Sequence, residues 1–147
     1  MAAETDATVT LRLPPSAAHV RTARLVAAAV ARRSGVGEGL LDEVRLAVGE
    51  ACARAVRLHE RHGVPAAVTV EFAEGDRFRV TVVDRVNVAA GNGVPRGPGL
   101  ATGQAPWADP SGDALGLALL GAVVQDLAVD PVGDGSGTRV TMSWPLG

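Results

Sequence analysis

The stretch from Leu40 to His59, LLDEVRLAVGEACARAVRLH, constrains the fold more than any other part of this chain. Leu40, Leu41, Val44, Ala47, Val48, Ala51, Cys52, Ala55 and Val56 recur at three- and four-residue steps. That spacing puts one continuous apolar stripe on a helix and requires a partner layer to bury it. A polar stripe of Glu43, Glu50, Arg54, Arg57 and Arg61 climbs another side. Glu50 and Arg54 stand one turn apart, so a carboxylate–guanidinium pair between them is expected.

The flanking segments supply that layer. Residues 8–13, TVTLRL, alternate as a short strand, and Pro14-Pro15 stops it. Ser16 is placed to cap a helix over residues 17–33. There Val20, Ala23, Ala27 and Val30 share one side, and Arg21, Arg24 and Arg32 lie away from it. Gly35, Gly37 and Gly39 then break the chain before the second helix, which ends near His59–Gly63 ahead of Pro65. Residues 66–74 and 77–84 read as a hairpin around Gly75-Asp76. Residues 91–112 hold six glycines and four prolines without an apolar period, a long loop. A helix at 113–125, a strand near 127–131, a glycine-rich turn at 133–137 and a last strand at 138–144 complete the order.

Strands segregated from helices point to an α+β, two-layer α/β sandwich with helices on one face of a mixed, mostly antiparallel sheet. With 147 residues, one domain over residues 8–145 is expected, after a flexible N-terminus at 1–7. At 47% hydrophobic and 3% aromatic residues, the core must be built mainly from Ala, Val and Leu. The net charge of −2 does not favour non-specific nucleic-acid binding. All 14 basic residues are arginine. The single cysteine, Cys52, excludes an intrachain disulfide, which fits a reducing cytoplasm, and its place on the apolar stripe makes it a core residue. No signal peptide or membrane-span pattern is present, and His19, His59 and His62 form no metal-ligand spacing. His59 and His62, at a helix end, are expected in solvent.

Four motifs carry a resemblance. The string from Glu50 to Val56, EACARAV, resembles the N-box of the anti-sigma-factor serine kinases, a branch of the GHKL (Bergerat-fold) ATPases. The resemblance makes Glu50 the catalytic glutamate and puts Arg54 where the family has a magnesium-binding asparagine. Asp84-Arg85-Val86-Asn87-Val88 matches the D-x-G-x-G box, whose aspartate accepts a hydrogen bond from the adenine amino group. Here Asp84 is kept and both glycines are valine, which resists positive φ and adds bulk. Ala114-Leu115-Gly116-Leu117 matches the G-x-G-L box after the ATP lid, with residues 91–112 as lid-like loop, and Gly137-Thr138 matches the closing Gly-Thr pair.

The resemblance therefore implies ATP and magnesium as cofactors, with Asp84, Gly116, Thr138 and Arg54 around the nucleotide. Arg54 opposes this, because a guanidinium offers no acceptor and repels the cation. It could instead reach phosphate oxygens and replace the metal's charge. Three functions follow. The first is an anti-sigma-like regulatory protein with weakened or lost ATP chemistry. Its implied partners are a STAS-fold anti-anti-sigma protein, a sigma factor and a second copy of itself, with no direct nucleic acid and no membrane. The second is an active serine kinase acting on a STAS protein through Glu50. The third is a sensor for another small ligand, in an altered pocket lined by Cys52, Val86 and Val88.

Overall fold

The computed structural model describes residues 7–86 and 113–147, with the side chains of residues 113–116 left out. The chain runs β1 (Thr8–Leu13), a short 3-10 turn (Ala17–His19), α1 (Val20–Ser34), α2 (Glu38–His62), β2 (Val68–Glu74), β3 (Arg77–Asp84), α3 (Asp113–Val123), β4 (Asp126–Pro131) and β5 (Thr138–Pro145). Five strands form one open sheet in the order β1-β2-β3-β5-β4. All four pairings are antiparallel, so the parallel component of the expected mixed sheet is absent among the described residues. The expectations for residues 1–6 and 91–112, and for Val88, fall outside the described residues.

Strand alternation decides which face the helices cover. Val68, Val70 and Phe72 of β2, Phe78, Val80 and Val82 of β3, and Val140, Met142 and Trp144 of β5 are buried against the helices. Thr69, Glu71, Arg79, Thr81, Arg139 and Thr141 occupy the opposite, more exposed face. Phe72 and Phe78 stack with ring centroids 6.4 Å apart, and Trp144 tilts against Phe78 at 6.0 Å. These rings are the large anchors in an otherwise small-residue core, each pair contributing about 0.5–1.5 kcal/mol beyond its area burial. The indole Nε1 of Trp144 donates to Glu43 Oε2 at 2.6 Å, so one member of the polar stripe ties α2 to β5.

The apolar stripe of α2 behaves as its spacing requires: Leu41, Val44, Ala47, Val48, Ala51, Cys52, Ala55 and Val56 are buried. Each Val or Leu so removed from water contributes about 1.5–3 kcal/mol. Ser16 accepts from the Ala18 N–H, as its cap position requires. Gly39 lies within α2 rather than breaking the chain before it, since the helix begins at Glu38. α1 and α2 end at Gly35 (φ 102°) and Gly63 (φ 63°), left-handed positions that glycine adopts without a Cβ clash.

One glycine sits deep inside a helix. Gly49 is buried in the middle of α2, where glycine costs about 0.5–1 kcal/mol relative to alanine. A Cβ at this position would stand 2.7 Å from Arg24 Cδ and 3.1 Å from Arg24 Cγ. The bare backbone lets the aliphatic stem of Arg24 lie flat across α2.

Candidate functional site

Asp84 ends β3, directly across the ladder from Thr138 at the start of β5. Its carboxylate accepts hydrogen bonds from three sides. Oδ1 accepts from the Val86 N–H at 3.1 Å and from the Thr138 N–H at 3.3 Å. Oδ2 accepts from Arg54 Nη1 at 3.3 Å. The side chains of Arg54 and Asp84 retain 2% and 1% of their exposure, so the pair is sealed from water. Taking two charges out of water costs several kcal/mol per ion, which their attraction and the two backbone bonds offset.

This geometry corrects one expectation. Arg54 turns away from Glu50, one helical turn below it, and reaches across to β3. The reason is burial: Arg54 lies on the inner side of α2, where the carboxylate within reach is Asp84, while Glu50 lies half-buried. Glu50 makes no ion pair among the described residues.

Two buried polar atoms beside the carboxylate lack a hydrogen-bond partner among the described residues: Arg54 Nε and Thr138 Oγ1. The Gly-Thr pair has a plain steric basis. A Cβ on Gly137 would stand 1.9 Å from the backbone oxygen of Asp84, so β5 closes on β3 here only because residue 137 has none. Val86, where the family has the first glycine of its box, is 1% exposed. Cys52 is wholly inside the hydrophobic core, and burial pushes its thiol pKa up to about 12. Gly116 lies in α3, and Leu117 of the same box is buried.

Sequence reasoning missed His59. Its helix-end position predicts solvent, and the ring is fully buried. Its Nδ1 lies 2.9 Å from the Ala66 carbonyl, and the Arg85 N–H reaches its Nε2 at 2.9 Å. A carbonyl can only accept and an amide can only donate, so the ring is neutral with its proton on Nδ1. His59 thereby clamps the end of α2 to the residue that follows Asp84. Its spacing was the available signal: it falls three and four residues after Val56 and Ala55, in line with the buried stripe.

An adenine amino group would have to share Asp84 Oδ2 with a guanidinium donor 3.3 Å away. A magnesium ion needs oxygen ligands, and the N-box position offers Arg54, which has none. No group of three or more His, Cys, Asp or Glu that could hold a metal occurs among the described residues. At the N-box position, Arg54 does not fit the role of a magnesium ligand.

An antiparallel sheet covered on one face by three helices is the architecture of the histidine kinase-like class of ATPase folds. The chain belongs to the histidine kinase-like ATPase domain family, whose model matches residues 13–144. Among solved structures, it is similar to the crystal structure of the RsbU and RsbW domains of Rv1364c from Mycobacterium tuberculosis, with a TM-score of 0.64 at 18% identity. That likeness is one of fold; it covers 95% of this chain and 32% of that one. No curated protein matches the chain. Among the described residues, no helix is long and apolar enough to cross a membrane.

Proposed function

We propose that this protein is a regulatory binding module of the anti-sigma type, in which ATP binding and phosphotransfer are weakened or lost. It acts by holding a STAS-fold anti-anti-sigma protein, a sigma factor, or both, in a partner-switching circuit of the cytoplasm. What carries the reading is the buried Arg54–Asp84 pair. The guanidinium competes for the carboxylate oxygen that the adenine amino group would use, and it stands where the magnesium ligand would stand. Val86, buried beside it, adds bulk in place of a glycine. The fold likeness to a chain containing an RsbW domain supports the class of circuit.

A calorimetric titration with ATP, with and without magnesium, tests this reading. Binding that is absent or confined to millimolar ATP is expected. Tight magnesium-dependent binding, followed by phosphate transfer to a STAS partner, overturns it.

One observation favours a second reading, an active serine kinase. Among the described residues Glu50 is left unpaired by the turn of Arg54 toward Asp84, so its carboxylate remains available as a base. Under that reading Glu50→Ala abolishes phosphotransfer and leaves partner binding intact.

A further inference from the structure

β4 forms one edge of the sheet, with β5 on one side and no strand paired to it on the other among the described residues. The turn before β5 fixes which of its backbone groups face outward. The Val132 N–H donates to the Gly137 carbonyl at 2.9 Å, next in register to the Pro131–Thr138 pair. Hydrogen-bonded pairs alternate along an antiparallel ladder. Asp126, Ala128 and Asp130 therefore turn their amides and carbonyls to β5, and Leu127, Val129 and Pro131 turn theirs to the open edge. Pro131 fits that placement, because a proline on the open side costs the β4–β5 ladder no donor.

The side chains of β4 sort by face. Leu127 and Val129 lie on the helix side, opposite Met142 and Val140, and are only half-buried. α3 lies against them: a Cβ on Gly121 would stand 3.7 Å from Leu127 Cδ2. α3 carries no charged residue after Asp113, and its Leu119 is 53% exposed. A helix with no charged face calls for cover on every side. On the opposite face of β4, Asp126 and Asp130 are exposed. Arg77 pairs with Asp126. Asp130 makes no ion pair among the described residues, although Arg139 stands opposite it in the ladder.

We infer that the groove between β4 and α3 takes up a short extended segment of a protein partner, in which apolar and basic residues alternate, as an added strand on the sheet. The open amides and carbonyls of Leu127 and Val129 select an extended backbone, which presents donors and acceptors at their spacing. The apolar shelf of α3 selects apolar side chains at every second position. The carboxylates on the other face select lysine or arginine at the positions between. A second copy of β4 does not meet these demands. Antiparallel self-pairing centred on Ala128 sets Asp130 of one copy opposite Asp126 of the other, and like charges directly opposite are destabilising. Pro131 ends the open ladder, so the segment taken up is short. The groove is separate from the Asp84 carboxylate, and the inference stands whichever way the ATP titration falls.

The test uses the full chain and a short acetylated, amidated peptide of alternating lysine and valine, read by fluorescence anisotropy and by amide hydrogen exchange. The controls are the same peptide with glutamate for lysine, and two N-methylated forms, one methylated at the valines and one at the lysines. The lysine peptide is expected to bind and the glutamate peptide not to. One methylated form is expected to lose binding and the other to keep it, because only alternate amides of an added strand face β4. In the bound chain the Leu127 and Val129 amides gain protection, while those of Ala128 and Asp130, already bonded to β5, do not change. Asp130→Lys is expected to weaken binding about tenfold, since a favourable cross-strand pair becomes a like-charge one, with the thermal midpoint little changed. Failure of the lysine peptide to bind, equal binding by the glutamate peptide, an equal effect of the two methylations, or no added protection at Leu127 and Val129 overturns the inference. Protection of those two amides that rises with protein concentration alone overturns it too, because a second copy would then hold the edge.

Discussion

Arg54 of α2 and Asp84 of β3 form an ion pair closed to solvent, with Nη1 3.3 Å from Oδ2 and both side chains at most 2% exposed. The pair couples the long helix to the strand end that carries the family's acidic box. It takes a carboxylate that could serve a ligand and uses it to hold the fold.

Removing either partner therefore strands a buried charge. Arg54→Met and Asp84→Asn are each expected to cost about 3–5 kcal/mol. The double variant is expected to recover most of that loss, since the introduced carboxamide would keep an oxygen for the Val86 and Thr138 amides while no unpaired ion remains. Urea unfolding of the four proteins gives the coupling energy directly. Additive losses would show that the two residues act independently.

Cys52 gives a pH prediction with a definite sign. Burial pushes its thiol from 9.0 up to about 12. Between those values the unfolded chain releases the proton and the folded one keeps it, so stability is full below pH 9 and falls as pH rises toward 12. The slope from this residue is at most about 1.4 kcal/mol per pH unit. Denaturant midpoints should fall more between about pH 8 and about pH 10 for the native chain than for Cys52→Ala. At the lower pH the native thiol should resist iodoacetamide and react once urea unfolds the chain; ready alkylation of the folded protein contradicts its burial.

His59 is expected to hold its proton on Nδ1, visible in nitrogen NMR as a donor Nδ1 and an acceptor Nε2, with the Arg85 amide slow to exchange. His59→Phe keeps a ring of similar shape and loses both bonds, which costs about 1–3 kcal/mol for each group left without a partner. Because Arg85 follows Asp84, the same substitution should speed exchange at the Val86 amide. An unchanged exchange rate there would separate the clamp from the acidic site.

The layers were legible in the sequence because burial follows period. The stripe from Leu41 to Val56 and the alternation at 68–74 and 77–84 each specify one apolar face, and nothing in tertiary structure competes with them. The partner of Arg54 was not legible. Local spacing offers Glu50 one turn away, whereas Asp84 lies 30 residues on and reaches Arg54 only after the sheet forms. His59 was misplaced for a related reason. Its two partners, Ala66 and Arg85, come from other elements, and a helix end looks solvent-facing until those elements pack on it. The acidic, Gly-Thr and N-box positions, named by resemblance, do meet in space: Asp84 bonds both Arg54 and the Thr138 amide.

Gly137 closes the site physically, and its replacement tests how much the site depends on strand approach. A Cβ there would meet the Asp84 carbonyl oxygen at 1.9 Å and its carbon at 2.9 Å, both backbone atoms with no rotamer to escape into. Gly137→Ala must therefore push β5 away from β3 at the ladder pair Asp84–Thr138. Overpacking of this kind costs about 1–3 kcal/mol, and more where backbone must move. The Thr138 N–H to Asp84 Oδ1 bond, already 3.3 Å long, is the first expected to break. Hydrogen exchange should then rise at the Thr138 and Val86 amides, while the far end of the same ladder, Phe78 opposite Trp144, stays protected. A uniform rise along β5 would mean that the strand opens as one unit instead, with Gly137 setting the stability of the whole β3–β5 pairing.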